Sequence, residues 1–315
     1  MDRQLMWIKQ EVTYGTDPTA AATNTIRCED VQFRLTGQRV TPNPAKPGVG
    51  PVADHTYGEH VEVSFKVPLA GSGVAGTAPK WGPLMKASGW GEALVADTSV
   101  TYSLLADPLS ATSVTLVWRD GNRRVHEVNG ARGRVDFELS AGQRPMLVFT
   151  FRGLHNDVTT AGAVVAHADA DFSGWLDAKP VASGTTTFAY GGVSGLGLRE
   201  LGFQQSDNVR FVDLPEQENV RLLGERVFTG STKFTCPLPS ALNLETKWKA
   251  GTVDTWSMVH TSSAVDVVTI NGRSQLIDPT YERQDGDDVA GANLKLVPST
   301  LTNDNDLAIV LTEAA

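Results

Sequence analysis

The segment of the sequence that most resembles a metal site is DADFSGWLD, residues 169–177. Oxygen donors at alternate positions, with glycine at the sharp bend, match the first half of a calcium-binding loop. The twelfth position, however, is Pro180, where such a loop carries a bidentate glutamate, and no helical pattern flanks the segment. The sequence therefore favours a simple turn. Whether Asp169, Asp171 and Asp177 hold an ion stays open at this point.

No other group of residues has spacing that is typical of catalysis. The six histidines are isolated from one another and from any nucleophile motif,. Cys28 and Cys236 lie outside any CxxC pattern, which disfavours both a disulfide framework and a zinc site,. Residues 71–76, GSGVAG, have GxGxxG spacing, but no βαβ unit follows them,. We therefore expect no catalytic, cofactor-binding or metal-binding residue, and no enzyme.

Composition and charge limit the function further. The chain has 315 residues and a net charge of −9, whereas a protein that grips DNA normally carries a basic surface,. The first residues, MDRQLMWIKQEV, are charged throughout and do not resemble a signal peptide,. No run of 18 apolar residues indicates a membrane span,. These features predict a protein that is made in a cytoplasm and does not insert into a membrane.

The elements that would position any site are mostly β-strands. In the meander at residues 113–153, Val135, Phe137 and Leu139 alternate with Asp136, Glu138 and Ser140, which is the period of a strand,. Turn dipeptides mark hairpins at Asp120-Gly121, Asn271-Gly272 and Asp285-Gly286,. Strands are predicted at 31–40, 60–67, 100–105, 114–119, 134–140, 146–151, 198–204, 209–212, 226–234, 265–270, 293–297 and 307–311, and short helices at 79–88 and 242–250.

The two halves of the chain follow a similar pattern. In each, an alternating strand ends at Pro-Leu (residues 68–69 and 237–238), and a tryptophan-bearing helix ends at Gly89 or Gly251. Each half also closes with two strands. We interpret this as two tandem copies of one β unit, residues 1–155 and 156–315, with a linker at about 156–185. An unrelated second half is the alternative.

A long loop with four prolines and three glycines separates two strands of the first half, at Thr41–Glu59. A loop of this length without its own secondary structure is usually functional or disordered. Its prolines lower the entropy cost of holding it extended. One interpretation is a mobile surface loop, and the other is an arm that docks on a neighbouring subunit.

Several segments in order resemble the tail tube proteins of long-tailed bacteriophages, the siphovirus-like major tail proteins. They are TYGTDPTA, PLAGSGVAGTAPKWGPLMKASGW, the YSLL-to-WRDG strand pair, GARGRVDFELSAGQRPMLVFTFRG, and the ending from TYERQDGDD through LKLVPS to LAIVLT. The resemblance covers most of the chain, and residues 186–230 match least well. It implies a mainly β fold, a β-sandwich or barrel with one short flanking helix per unit. It also implies a structural virion protein that polymerises as stacked rings around a channel for genome ejection.

The same resemblance implies partners and an inter-ring loop. The partners would be further copies of the chain, the tape measure protein, and tail terminator or tip proteins, in a virion tail of non-contractile type. The loop that reaches the adjacent ring would be Thr41–Glu59, the loop already distinguished by its length. Its candidate contact residues are Pro44, Lys46, Pro47, Val49, Pro51, Val52, Asp54 and Tyr57.

Two further expectations follow. Double-stranded DNA must pass through the channel without specific binding, so we expect acidic residues, among them Asp136 and Glu138, to face the lumen. If the halves are repeats, three copies would form a ring with pseudo-sixfold symmetry, and if they are not, six copies would. The alternatives to a tube subunit are another phage structural component, such as a tail terminator, baseplate or capsid decoration protein, and, less favoured, a calcium-dependent binding module or an enzyme.

Overall fold

The computed structural model describes residues 4–121, 123–163, 166–300 and 304–313, and it is mainly β, as the sequence predicts. The strands are β1 (Leu5–Gln10), β2 (Thr25–Ile26), β3 (Glu29–Val40), β4 (His55–Pro68), β5 (Trp90–Val95), β6 (Ser99–Leu104), β7 (Val114–Arg119), β8 (Arg124–Ser140), β9 (Met146–His155), β10 (Thr159–Thr160), β11 (Thr186–Tyr190), β12 (Val193–Ser194), β13 (Leu198–Gln205), β14 (Val209–Leu214), β15 (Gln217–Leu222), β16 (Phe228–Thr235), β17 (Val253–Ser263), β18 (Asp266–Gln284), β19 (Asp287–Leu296) and β20 (Leu307–Thr312), and the helices are α1 (Gly82–Ala87) and α2 (Leu244–Ala250).

Alternation of apolar and polar residues explains the long central strands. On β8, Val135, Phe137 and Leu139 are buried in the core, as predicted, while the residues between them point to the other face. On β4, Val61, Val63, Phe65 and Val67 follow the same rule. Because successive side chains of a strand alternate between faces, one face of each of these strands packs in the core.

Six strands of the first half and six of the second are paired in the same order, all antiparallel. The first series is β1-β7-β8-β9-β4-β3. The second is β11-β17-β18-β19-β16-β13. Both series also shift register at matching places, once near the start of β3 and of β13, and once within β8 and within β18.

The two series belong to one sheet and one core. The end of β8 pairs with β13, and β20 lies between β18 of the second half and β6 of the first. Buried residues from both halves form one hydrophobic cluster, which contains Phe137, Trp90, Phe203 and Phe234. The segment predicted as a linker, 156–185, is attached to the same sheet. Its strand β10 pairs with β8, and its residue Val181 forms a bridge with Ala141. The two halves therefore share one sheet and one core.

Both helices are shorter than the sequence pattern predicts. The helix predicted at 79–88 spans Gly82–Ala87, and the indole Nε1 of Trp81 before it donates to the carbonyl of Ala70 at 2.7 Å. The helix predicted at 242–250 begins after Asn243, whose side chain accepts from the backbone N–H of Thr246 at 2.9 Å. It ends at Gly251 in the left-handed conformation,.

One predicted turn and one loop boundary are wrong. Asn271-Gly272 lies within β18 and not in a hairpin turn, and a Cβ atom on Gly272 would lie 2.1 Å from the Trp256 ring on β17. Glycine is therefore needed here for close packing and not for turn geometry. β8 contains a bulge at the register shift between Asn129 and Arg132. The loop predicted at Thr41–Glu59 ends earlier, because β4 begins at His55.

A buried carboxylate fixes the N-terminal segment. Glu11 accepts hydrogen bonds from the backbone N–H of Gly15 and of Gly130, at 2.8 and 2.7 Å. It also accepts from the hydroxyls of Ser113 and Thr115, at 2.6 and 2.8 Å. Four donors offset the cost of burying this side chain. Glu11 thus ties the turn after β1 to β7 and to the bulge of β8.

Candidate functional site

The face of the sheet that points away from the core is polar and runs across several strands. Directly paired residues share a face, so the cross-strand registers define it. We call it the polar face, and in the first half it consists of Glu29, Gln32 and Arg34 on β3, Glu62, Ser64 and Lys66 on β4, Val148, Thr150 and Arg152 on β9, and Arg132, Arg134, Asp136 and Glu138 on β8.

The polar face continues into the second half without a break. Glu138 of β8 lies opposite Gly202 of β13, which in turn pairs with Ser231 of β16, and Ser231 pairs with Asn293 of β19. A groove of about 850 Å³ follows this line and is lined by residues from both halves. Asp136 and Glu138, the two candidates for a lumen, therefore lie on a surface that spans the whole chain.

Most basic side chains on the polar face are paired with a carboxylate. The pairs are Lys66 with Glu138 at 2.7 Å, Arg152 with Glu62 at 2.8 Å and with Asp207 at 3.1 Å, Arg134 with Asp136 at 3.9 Å, Arg144 with Glu29 at 2.7 Å, and Lys233 with Glu282 at 3.1 Å. The charge on this face is thus mixed, and several of its basic groups have a carboxylate partner. Among the described residues of the polar face, Arg34 on β3 and Arg132 on β8 have no ion pair.

Asp136 and Glu138 differ in their surroundings. Burial raises the pKa of the Asp136 carboxyl, although the backbone N–H of Gln205, which donates to it at 2.8 Å, acts in the opposite direction. The guanidinium of Arg134 donates to the carbonyl of the same Gln205 at 2.8 Å. Asp136 therefore holds β13 against β8. Glu138 is half exposed and contacts Lys66, and their hydrogen bond raises the pKa of the Lys66 ammonium.

The loop between β3 and β4 projects from one end of the sheet. We call residues 41–54 the arm. Almost all of its side chains are exposed, and Val49 is fully so. Its base is closed by a 2.5 Å hydrogen bond from Thr41 to Asp54, and within it the Lys46 ammonium donates to the carbonyl of Gly50.

The predicted contact residues of the arm are not all in the loop. Pro44, Lys46, Pro47, Val49, Pro51, Val52 and Asp54 lie in it, whereas Tyr57 lies on β4. The hydroxyl of Tyr57 donates to the side chain of Gln38 on β3 at 2.5 Å. This bond stiffens the two strands on which the arm is carried.

A second hairpin, β14–β15, occupies the equivalent place in the second half, and the sequence predicts only its first strand, at 209–212. It forms its own two-stranded sheet between β13 and β16. Its base packs on the first half. The guanidinium of Arg132 donates to the carbonyl of Val220 at 3.0 Å, and the N–H of Val220 donates to the hydroxyl of Tyr14 at 2.6 Å. His60 also stacks on Phe211, with ring centroids 4.7 Å apart.

Sequence reasoning placed Asp136 and Glu138 on the face away from the core but did not predict the charged residues that lie near them on that face. Lys66 is 72 residues from its partner Glu138 along the chain, and Arg152 is 90 residues from its partner Glu62. The only available signal was the alternation in HVEVSFKV, residues 60–67, whose polar positions are Glu62, Ser64 and Lys66. That alternation places them on a face but does not name their partners.

The three aspartates of the calcium-like segment point to different partners. Asp169 pairs with Arg119 at 3.2 Å, Asp171 lies 3.7 Å from the Lys80 ammonium, and Asp177 pairs with Arg27. Within residues 4–121, 123–163, 166–300 and 304–313, no group of three or more His, Cys, Asp or Glu side chains is arranged to hold a metal ion. None of the helices in the described ranges is both long and apolar enough to cross a membrane.

Comparison with known proteins places this architecture in a family. A family model described as "Phage tail tube protein" matches residues 2–302, which is nearly the whole chain. No curated protein sequence matches the chain. The family is one of structural proteins that assemble the tail of a virion, which accords with the β-rich fold and the sheet face that both halves share. The chain therefore belongs to the phage tail tube protein family.

Proposed function

We propose that this chain polymerises as stacked rings to form the tail tube, and that the polar face lines a channel through which the genome is ejected into the host. The observation that carries this proposal is the continuity of the polar face from β3 to β19, across both halves. A surface that runs through every unit of a chain is suited to form the inner wall of a ring.

The paired charges of the polar face give a physical reason for free passage of DNA. Affinity for the phosphate backbone comes from lysine and arginine side chains that replace its counterions. Here Lys66 and Arg152 already contact carboxylates at 2.7 and 2.8 Å. A phosphate would have to compete with a neighbouring carboxylate for each of them. We propose that this pairing, together with the negative net charge, keeps double-stranded DNA from binding specifically,.

We propose that the arm contacts the next ring. Its exposure, its four prolines and the closed base at Thr41 and Asp54 suit a segment that is held out to meet a partner,. The hairpin β14–β15 is placed between the second-half counterparts of β3 and β4, and we assign it the same role. Each chain would then present two contacts to the adjacent ring.

The identical strand order of the two series supports a tandem duplication, with units 1–155 and 156–315. We propose that three copies form a ring with pseudo-sixfold symmetry, six copies being the arrangement that would apply without a duplication. Further partners are the tape measure protein inside the tube and the terminator and tip proteins at its ends. Synthesis in the cytoplasm of a host bacterium and a long non-contractile tail complete the proposal.

Sedimentation of the purified chain over a range of concentrations tests the proposal. We expect mass to move from a small species to very large assemblies that appear as hollow tubes in electron micrographs. A protein that stops at one ring under every condition would instead be a terminator or another tail component. A protein that stays monomeric throughout would overturn the assignment of a self-assembling tube.

A further inference from the structure

Two of the open strand edges in the described structure lie at the two ends of the line of strands that carries the polar face. β3 pairs with β4 on one side, and no described strand lies on its other side. The last part of β18, residues 276–284, pairs with β19, but its other side is open after β17 departs at Gln275. Open edges of this length invite pairing with another chain.

Each open strand has a counterpart in the other half of the chain. Gln284 of β18 pairs with Asp287, the first residue of β19, just as Glu138 of β8 pairs with Met146, the first residue of β9. Gln284 therefore stands at the position of Glu138.

The counterpart of β3 is β13. Arg34 of β3 pairs with Glu62, six residues before the Pro-Leu that ends its strand. Gly202 of β13 pairs with Ser231, which likewise lies six residues before Pro237. Arg34 therefore stands at the position of Gly202.

Within the chain, these two counterparts are paired with each other. β13 runs antiparallel to the end of β8, with Gly202 opposite Glu138 and Phe203 opposite Phe137. This is the contact by which the first half passes into the second. A ring of alternating halves needs a second contact of the same kind, from the second half of one copy to the first half of the next.

We propose that β3 of one copy pairs antiparallel with the end of β18 in the next copy, with Arg34 opposite Gln284 and Leu35 opposite Arg283. The inference rests on the proposed ring assembly and specifies its interface. The partner is a second copy of this chain, and the contact repeats the register of β13 on β8. Because the two surfaces differ, the contact is head-to-tail, and the ring closes when the last copy meets the first.

Exposure at the two edges supports this pairing. Leu35 is 52% exposed, whereas Phe203, its counterpart, is 1% exposed because β8 and the core cover it. On the other edge Tyr281 is 53% exposed, whereas its counterpart Val135 is fully buried. In a single copy, Leu35 and Tyr281 are therefore exposed, whereas the residues at the equivalent positions of the internal contact are buried. A neighbouring copy in this register would cover both.

The β18 edge also carries a carboxylate at the same position as β8, its counterpart. Glu282 stands at the position of Asp136, two residues before Gln284 as Asp136 is two before Glu138. Asp136 accepts a hydrogen bond from the backbone N–H of Gln205, three residues after Gly202. In the proposed contact, the carboxylate of Glu282 lies near the backbone N–H of Gly37, three residues after Arg34. A carboxylate thus fixes the register at both contacts.

A disulfide between copies tests the register. In a chain whose native cysteines are replaced (Cys28→Ala, Cys236→Ala), Arg34→Cys is combined with Gln284→Cys, since directly opposed Cβ atoms of an antiparallel pair lie about 5 Å apart. The matched internal control is Gly202→Cys with Glu138→Cys, which should close within one chain and leave a monomer on a denaturing gel. The register control is Thr36→Cys with Gln284→Cys, shifted by two residues.

We expect assembled protein with the Arg34 and Gln284 substitutions to form covalent oligomers on oxidation, ending at the number of copies in the ring, while the shifted pair gives at most a small fraction of that yield. Tubes that form normally but cross-link only in the shifted pair, or in neither pair, would overturn the interface and leave the proposed function intact. A native chain that never assembles would overturn both.

A second variant measures the same contact without a disulfide. Leu35→Lys places a charge at an edge that the next copy should bury, and we expect at least a tenfold rise in the concentration needed for assembly. Leu94→Lys is the control, because Leu94 is exposed to a similar extent, 54%, on β5. Equal assembly by the two variants, each with an unchanged melting temperature, would contradict the proposal.

Discussion

Phe137 of β8 lies directly opposite Phe203 of β13, and this pair joins the first half of the chain to the second. Both side chains are almost fully buried, and Phe203 stacks on Trp256 with ring centroids 4.9 Å apart and planes 9° apart. The seam between the halves is therefore a part of the core and not a surface contact between two separate domains.

Truncation of Phe203 should destabilise the whole chain. Phe203→Ala removes a buried aromatic ring at the seam, for which we expect a loss of about 3–5 kcal/mol in the free energy of unfolding. Denaturant unfolding of the unassembled protein measures it. Phe172→Ala serves as the control, because that ring is 49% exposed and its loss should cost little. A cost below about 1 kcal/mol for Phe203→Ala would contradict a packed seam.

Removal of the Glu11 carboxylate should lower the free energy of unfolding by nearly as much as the loss of the Phe203 ring. Glu11→Ala leaves two backbone N–H groups and two hydroxyls without their acceptor, and we expect a loss of about 3 kcal/mol or more,. Thermal or urea unfolding gives the value. Glu218→Ala, at an exposed position of the β14–β15 hairpin, is the matched control. Similar stabilities for the two variants would show that the four hydrogen bonds do not hold the N-terminal segment.

Reversal of one charge on the polar face should make tubes bind DNA. Glu138→Lys removes the partner of Lys66 and places two ammonium groups side by side on the proposed lumen. Co-sedimentation with a short duplex should then show binding that weakens steeply between about 50 and 200 mM salt.

The control for that experiment is Glu245→Lys, which makes the same charge change at an exposed position of α2. It should leave DNA in the supernatant. Equal binding by both variants would mean that the polar face has no special relation to the channel.

Shortening of the arm should separate ring formation from ring stacking. Because β4 begins at His55, the deletion should stop before Asp54, so that the hydrogen bond between Thr41 and Asp54 is kept. Removal of residues 44–53 is expected to leave the melting temperature unchanged and to give single rings or short stacks in electron micrographs.

Replacement of the same ten residues by a glycine-serine segment of equal length is the control for loop length. It should impair stacking as the deletion does, since contact side chains are lost in both. Tubes of normal length from either variant would exclude the arm as the main contact between rings.

Local patterns in the sequence predict the strands well because one face of each strand packs in the core and the other does not. The alternation of Val135, Phe137 and Leu139 with polar residues correctly predicts their burial, and the predicted positions of β7 and of β9's first residues agree with the structure. The same reasoning fails at Gly272. A glycine after asparagine is typical of a hairpin turn, but here the Trp256 ring from another strand requires it.

The candidate site is harder to predict from the sequence, because its contacts also join strands that are far apart along the chain. Alternation places Asp136 and Glu138 on the face away from the core, but the partners that set their chemistry come from distant strands. Lys66 is 72 residues from Glu138, and Gln205 is 69 residues from Asp136. The expectation of acidic residues facing the lumen stays a prediction. The pairing of charges on the polar face depends on strand registers that the sequence does not display.

The most direct test of the central claim is electron microscopy of the purified chain, with the number of subunits counted in end-on views of the rings. The account predicts hollow tubes of stacked rings, with three copies in each ring and a sixfold appearance at low resolution. Particles that remain monomeric at every concentration and salt condition, with no ring or tube, would contradict it.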